Sequence, residues 1–144
     1  MKRFWGLWLC ALAVPAISAA AENSIEPGLW KVTSNTRMNG AAVPPQVKLR
    51  CLSPEQAGDV GKTFGPESAT VNSTCERTEY EATGPTLKWR MQCKGQLDMD
   101  VAGDFNFDSR LHYRGIVTSK GWMAGALMSD VKVDVEGERV SECQ

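Results

Sequence analysis

The chain has 144 residues, of which 23% are charged, and its formal net charge is −1 at pH 7. This length allows one domain with its own core and is short for two. Because acidic and basic residues nearly balance, the chain carries no electrostatic footprint of a protein that binds nucleic acid or an anionic membrane surface. We therefore expect a small single-domain protein whose partner is not a nucleic acid.

Residues 1–21 predict a secretory signal peptide. A basic start, Met1-Lys2-Arg3, precedes an apolar stretch from Phe4 to Ile17, and small residues follow up to Ala21. This order of charged, apolar and small residues is typical of a cleaved export signal. The apolar stretch of 14 residues is shorter than the roughly 20 residues that a membrane-spanning helix needs. We expect an exported mature domain over residues 22–144, with net charge −3 and no membrane span.

Alternation of apolar and polar residues predicts about eight strands. The clearest example runs from Leu97 to Phe107, where apolar residues and glycine alternate with Asp98, Asp100, Ala102, Asp104 and Asn106. A strict period of two indicates a strand with one buried face and one wet face. In chain order, the predicted strands cover residues 28–36, 46–51, 69–81, 86–94, 97–107, 110–119, 123–135 and 139–143.

Turn and helix signals divide these strands. Lys120-Gly121 and Glu136-Gly137 are interpreted as turns between the last three strands. After the second strand, Ser53 is a good N-cap and Pro54 fits the first helical position, so one short helix is predicted there. Gly58 and Gly61 limit its length, and we expect an irregular loop from there to residue 68.

Four cysteines follow the predicted signal peptide, and an even number in an exported chain predicts two disulfides. Gly84 lies in a turn signal midway between Cys75 and Cys93, so a hairpin about Gly84 places these two cysteines opposite each other. Cys51 and Cys143 are then left as partners. The alternative, a zinc site, is disfavoured because the chain has no Cys-x-x-Cys pair and one histidine. We expect no metal and no cofactor.

Tight turns between most strands predict an all-β, antiparallel up-and-down meander. A sheet of about eight strands must protect its edges, so we expect it to close into a barrel or a curved half-barrel. The predicted bond between Cys51 and Cys143 favours closure, because it brings the last strand back to the early ones.

The hairpin that carries Cys75 and Cys93 poses a problem of register. Trp89 shares a face with Cys93, and in the register of the disulfide Arg77, Glu79 and Glu81 lie opposite that same apolar face. Either a β-bulge shifts the register, or the interior is partly polar and lines a ligand cavity. The bulge is the simpler interpretation.

Several short motifs follow one another in a distinctive order. They are Pro27-Gly28-Leu29-Trp30, then Leu49-Arg50-Cys51-Leu52-Ser53-Pro54-Glu55, then Cys75, Trp89 and Cys93, and finally the segment from Gly137 to Cys143. This order resembles the domain-of-unknown-function 3617 family of secreted proteobacterial proteins, over essentially the whole mature chain. The resemblance implies a small periplasmic β protein and carries no activity to transfer.

A more distant resemblance is to lipocalin-like (calycin) barrels. These have a Gly-x-Trp sequence on the first strand, matched here by Gly28 and Trp30, and an arginine from the last strand that packs over the tryptophan. Arg139 matches that arginine, and the resemblance implies a cation–π contact worth about 1 kcal/mol. The alternative is that Trp30 is an ordinary core aromatic residue.

No set of residues assembles a catalytic centre. His112 is the single histidine, and no free thiol remains in the mature chain, so neither a Ser–His nor a Cys–His nucleophile is predicted. Asp98, Asp100 and Asp104 are interpreted as the wet face of their strand. We therefore expect a protein that is not an enzyme.

Polar residues on predicted inward faces favour a binding module for a small apolar or cell-envelope ligand. The candidate ligand-binding residues are Trp30, Arg77, Trp89, Tyr113 and Arg139. The alternative is a structural or protein-interaction domain with a packed interior and no ligand, whose partner is an envelope protein. The volume and lining of the interior distinguish the two hypotheses.

Overall fold

The computed structural model describes residues 25–66 and 73–144, so the predicted signal peptide lies outside the described residues. Eight strands form one antiparallel sheet, and two short helices accompany it, as the all-β prediction requires. The strands are β1 (Gly28–Met38), β2 (Ala41–Ala42), β3 (Gln46–Leu52), β4 (Ser73–Thr83), β5 (Thr86–Gly95), β6 (Asp98–Ser109), β7 (His112–Met123) and β8 (Ala126–Ser141). The helices are α1 (Pro54–Gly58) and α2 (Val60–Phe64).

The sheet is open. Its strand order is β2-β1-β8-β7-β6-β5-β4, and β3 pairs with the same edge of β1 as β2 does. Consecutive strands from β4 to β8 form the predicted meander, and β8 then pairs with β1. Among the described residues β3 and β4 are not paired with each other, so the closed barrel is not confirmed.

Both predicted disulfides are present. Cys75 and Cys93 lie directly opposite each other on β4 and β5. Cys51 of β3 bonds Cys143, which follows β8, and their Cα atoms are 5.6 Å apart. Because β3 and β8 both flank β1, this second bond ties three adjacent strands together. It does not span the gap between β3 and β4, so it does not close the sheet as predicted.

A β-bulge in β4 resolves the register of the first long hairpin. The pairing of β4 with β5 shifts between Arg77 and Glu79. Beyond the shift, Tyr80 lies opposite Trp89, and Glu79 lies opposite Arg90. The glutamates of this strand therefore project away from the apolar face, as the bulge interpretation predicts.

Two predicted turns are wrong. Lys120-Gly121 lies inside β7, and Gly137 lies inside β8, so the predicted strands 123–135 and 139–143 form one strand. The β7–β8 turn instead uses Ala124 and Gly125, with φ angles of 49° and 79°. Positive φ at both central residues suits the tight hairpin turns that match strand twist.

The helical segment is longer than predicted. The predicted N-cap, Ser53, starts α1. It forms a capping box that was not predicted, because the Gln56 backbone N–H donates to Ser53 Oγ at 3.2 Å and the Gln56 side chain accepts from the Ser53 N–H at 3.0 Å. A second helix, α2, replaces the first part of the predicted loop. The end of that loop, residues 67–68, and the start of the predicted third strand, residues 69–72, lie outside the described residues. Asp59 Oδ1 accepts from the Lys62 N–H at 2.9 Å and caps it. Phe64, at its end, is buried.

Three large aromatic side chains lie flat on the sheet because their cross-strand partners are glycines. The pairs are Trp89 with Gly103, Phe105 with Gly115, and Tyr113 with Gly137. An ideal Cβ on Gly137 would lie 2.1 Å from the Tyr113 ring, and one on Gly115 would lie 2.4 Å from the Phe105 ring. These positions have no room for a larger residue, and Gly137 therefore serves packing rather than a turn.

Phe64 of α2 packs onto this aromatic layer. Its ring centroid lies 5.5 Å from that of Phe105, 5.3 Å from that of Phe107 and 4.8 Å from that of Tyr113. The Trp89 indole N–H donates to the Phe64 carbonyl oxygen at 2.9 Å. We call the helix-covered face of the sheet the inner face and the opposite face the outer face.

We predict that Gly115→Ala destabilises the protein, because the new methyl group would meet the Phe105 ring at 2.4 Å. Overpacking of this kind costs about 1–3 kcal/mol. Urea unfolding of the two proteins measures the difference. Gly58→Ala is the matched control, since an added Cβ there meets nothing within 4 Å and the helix gains about 0.5–1 kcal/mol. Equal stability of the two variants would contradict the packing argument.

We also predict unequal contributions from the two disulfides. Cys51 and Cys143 are 92 residues apart, and Cys75 and Cys93 are 18 apart. In the chain-entropy model, closing these loops raises the free energy of unfolding by about 4.5 and 3 kcal/mol, respectively. Paired serine substitutions, made at one bond at a time and compared by urea unfolding, should cost more at the longer loop. The reverse order would show that local packing of the hairpin outweighs loop entropy.

Candidate functional site

The three aromatic residues predicted to bind a ligand belong to the core. Trp30 is 0% exposed, Tyr113 3% and Trp89 6%. The rings of Trp30 and Tyr113 are 5.5 Å apart, and Phe64 lies against Tyr113. At this end of the inner face, α2 packs on the aromatic layer, and the contact of these residues with a ligand stays a prediction.

The two predicted arginines share the inner-face register but lie on strands that are far apart in the sheet. Arg77 is on the edge strand β4, where its guanidinium lies 4.5 Å from the centroid of the Tyr80 ring. Arg139 is directly across from Trp30, as the calycin resemblance implies. Its Nε donates to the Pro27 carbonyl oxygen at 2.7 Å. The implied cation–π contact with Trp30 is not found among the described residues.

The inner face continues beyond the helices as a patch of half-buried valines. Val117 lies opposite Val133, and Val32, Val101 and Val135 pack against the edge of the aromatic core. The valine patch consists of Val32, Val101, Val117, Val131, Val133 and Val135. These side chains span β1, β8, β7 and β6 and keep contact with solvent. The patch is the apolar part of the inner face that the helices leave open.

Charges are divided between the two faces of the sheet. Within the described strands, every Asp and Glu has the register of the outer face, where they face basic residues such as Lys88 and Arg90. The charged residues of the described strands that have the inner-face register are all basic: Lys48, Arg50, Arg77 and Arg139. The inner face therefore combines an apolar surface with positive charge.

Sequence alternation did not show that Lys48 and Arg50 face inward. Val47 and Leu49, two apolar residues of β3, are 62% and 65% exposed on the outer face. Leu52, the last residue of β3, is buried next to the helices. Since Leu52 shares its face with Lys48 and Arg50, its position just before the helix cap was the available signal.

Tyr113 extends from β7 across β8 towards these cations. Its hydroxyl oxygen lies 2.8 Å from the position of an ideal Cβ on Gly137. Burial raises the pKa of Tyr113 to about 12, and the positive charge of Arg50 acts in the opposite direction. No hydrogen-bond partner of this hydroxyl exists among the described residues.

His112 belongs to an ion-paired cluster on the outer face. Its Nδ1 lies 2.7 Å from Asp108 Oδ1, and its Nε2 lies 2.9 Å from Glu136 Oε1. These hydrogen bonds, first the one with Asp108, raise the pKa of His112 above its ordinary value. Both ring nitrogens face carboxylates of neighbouring strands, so the cluster links β6, β7 and β8 and has no nitrogen free to act as a base.

A depression of about 440 Å³ lies near Ile116 on the outer face. Its charged side chains are already paired: Arg114 lies 3.4 Å from Glu136, and Asp104 lies 3.4 Å from Lys88. The inner face differs in offering a continuous apolar surface flanked by two cations, Lys48 and Arg50, that form no ion pair among the described residues. We therefore take the valine patch and its flanking cations as the candidate site.

Two structural features bear on ligand classes and location. Within residues 25–66 and 73–144, no group of three or more His, Cys, Asp or Glu side chains is arranged to hold a metal ion. In the same ranges no helix has the length and apolarity to cross a membrane. The two disulfides suggest a protein outside the cytoplasm, since cytoplasmic thiols are kept reduced.

Comparison with known protein families agrees with the order of the sequence motifs. The family model described as Protein of unknown function (DUF3617) matches residues 25–143. No curated protein and no solved structure matches the chain significantly. The matched span starts just before β1, includes both disulfides and ends at Cys143. The chain therefore belongs to the family of proteins of unknown function DUF3617.

Proposed function

We propose that this protein is an exported, periplasmic and non-enzymatic binding module that holds an apolar ligand on its inner face. The valine patch carries this proposal, because six half-buried valines continue a packed core and no described element covers them. Apolar surface left open beside a core is typical of ligand and partner sites. The predicted signal peptide, the two disulfides and the family resemblance support the compartment.

The short helices support a curved half-barrel with a concave inner face. A flat sheet would separate β3 from β4 by six strand intervals, or about 29 Å. Leu52 ends β3, and Gly61 of α2 already contacts Tyr80 of β4, whose hydroxyl lies 2.1 Å from an ideal Cβ on Gly61. The segment from Leu52 to Gly61 therefore reaches from one edge strand to the other across the inner face, although it contains two short helices with a compact rise of about 1.5 Å per residue. This close bridging of the two edges supports a sheet that curls around the helices.

The alternative, an interaction domain without a ligand, rests on the packed aromatic core and on edge strand β3. Val47 and Leu49 are exposed there and could face a second copy of the chain. Antiparallel pairing of two β3 strands would, however, bring Lys48 and Arg50 of both copies together on one face. Such charges are a usual protection of sheet edges against pairing. The ligand hypothesis therefore fits β3 better.

The proposal predicts binding of neutral alkanols with a regular dependence on chain length. Each buried methylene contributes about 0.8 kcal/mol, so 1-decanol should bind about fifteenfold more tightly than 1-octanol. Isothermal titration calorimetry on the exported, disulfide-bonded protein measures both affinities. Native mass spectrometry of the same sample reports any ligand that is retained during purification, and the oligomeric state.

Val117→Thr combined with Val133→Thr should weaken decanol binding, since two methyl groups of the patch are replaced by hydroxyls. Ile116→Thr is the matched control, because Ile116 precedes Val117 in β7 and lines the outer depression instead. Loss of binding in the control alone would move the site to the outer face. Absence of alkanol binding in the wild-type protein would refute the binding module.

A further inference from the structure

We propose that the end of the valine patch beside Tyr113 binds the anionic head of the ligand, a carboxylate or a phosphate. The ligand is then an anionic amphiphile whose apolar chain lies along the valines. This inference rests on the proposed binding function and adds the chemistry of the headgroup. Its argument comes from the distribution of charge, from an unpartnered buried hydroxyl and from strand register.

Lys48 and Arg50 are the inner-face cations that remain available. Arg139 is engaged by the Pro27 carbonyl oxygen and by the Glu26 and Glu142 carboxylates. Arg77 lies over the Tyr80 ring. In the described part of the chain, Lys48 and Arg50 form no ion pair. Two neighbouring positive charges beside an apolar surface favour a negatively charged group at that place.

The register brings these cations into line with Tyr113. Tyr113 lies opposite Gly137, Gly137 lies opposite Val32, and Val32 lies opposite Lys48. Because Gly137 has no side chain, the phenol ring can lie over β8 with its hydroxyl directed towards Val32. Arg50 is two residues further along β3, on the same face as Lys48. Donors from β7 and β3 therefore converge across the start of the valine patch.

The Tyr113 hydroxyl is an independent sign of a ligand. It belongs to a residue that is 3% exposed, and no described residue accepts or donates a hydrogen bond to it. Buried polar groups are nearly always paired, so an unpaired one calls for a partner that is absent from the protein itself. An anionic oxygen is the strongest acceptor for a phenol O–H. Such an oxygen would also lie within the electrostatic reach of Arg50, whose charge already acts on this phenol.

The guanidinium of Arg50 favours a carboxylate or phosphate headgroup over other groups. The guanidinium offers two parallel N–H donors that match two oxygens of either group. A neutral hydroxyl headgroup can accept a hydrogen bond from Tyr113, but it gains little from Lys48 and Arg50. We therefore expect anionic and neutral amphiphiles of equal chain length to differ in affinity.

Calorimetry with decanoate, decyl phosphate and 1-decanol, below their aggregation concentrations and at neutral pH, tests this inference. We expect both anions to bind at least tenfold more tightly than the alcohol. Arg50→Gln should remove that difference and leave the decanol affinity unchanged. Arg37→Gln is the matched control, because Arg37 lies on β1 with the outer-face register and should leave all three affinities unchanged.

Tyr113→Phe separates headgroup binding from a structural role. Removing an unpaired buried hydroxyl should leave the unfolding free energy of the ligand-free protein unchanged or raise it. Decanoate affinity should fall about tenfold, as expected for a lost hydrogen bond to a charged group. A variant that loses stability while it keeps the decanoate affinity would show that the hydroxyl serves the fold instead.

The outcomes separate this inference from the proposed function. Equal affinities for decanoate and decanol, with no effect of Arg50→Gln, would overturn the headgroup assignment and leave the binding module intact. Failure of every amphiphile to bind would overturn both. If inorganic phosphate alone displaced decyl phosphate at similar concentration, the site would be one for free anions, and the amphiphile would be refuted.

Discussion

The packing of aromatic rings on cross-strand glycines is the constraint on which the rest of the fold depends. Side chains in a sheet normally stand away from it, but Trp89 and Tyr113 lie down over residues that have no Cβ. The layer above the sheet then becomes thin enough for Phe64 to reach it. Aromatic residues over glycine also offset the weak strand propensity of glycine itself. The helices pack on the sheet because these rings lie close to its backbone.

The shortness of α1 and α2 divides the inner face into two parts with different roles. Gly65 ends the second helix directly after Phe64, so helical cover stops at the aromatic layer. Covered positions are completely buried, while Val117 and Val133, further along the same strands, keep some solvent contact. The sheet therefore has a packed end beside an open apolar end, and a packed support of this kind suits the binding function proposed above.

Local sequence features predicted the strands and caps well, but they predicted poorly which side chains meet on each face of the sheet. The Ser53 N-cap, the pair of Cys75 with Cys93 and the β-bulge each depend on neighbours in sequence or across one hairpin, and the second cysteine pair follows by elimination. Gly137 looks the same in sequence whether it turns the chain or accommodates a ring, and only its pairing with Tyr113 decides between them. Trp30 and Trp89 were predicted to contact a ligand because aromatic residues suit both cores and sites. Both are buried, and nothing in the sequence indicated that Phe64 would join the core that contains them.

The register of β3 shows how a disulfide can determine which side chains lie at the proposed headgroup site. A shift of one residue would exchange the faces of this strand, since side chains alternate with a period of two. Leu52 then could not enter the core, and Lys48 and Arg50 would point outward. Cys51 projects from the outer face, and its bond to Cys143 holds the end of β3 against the end of β8. The disulfide that stabilises three strands therefore also maintains the positive charge of the inner face.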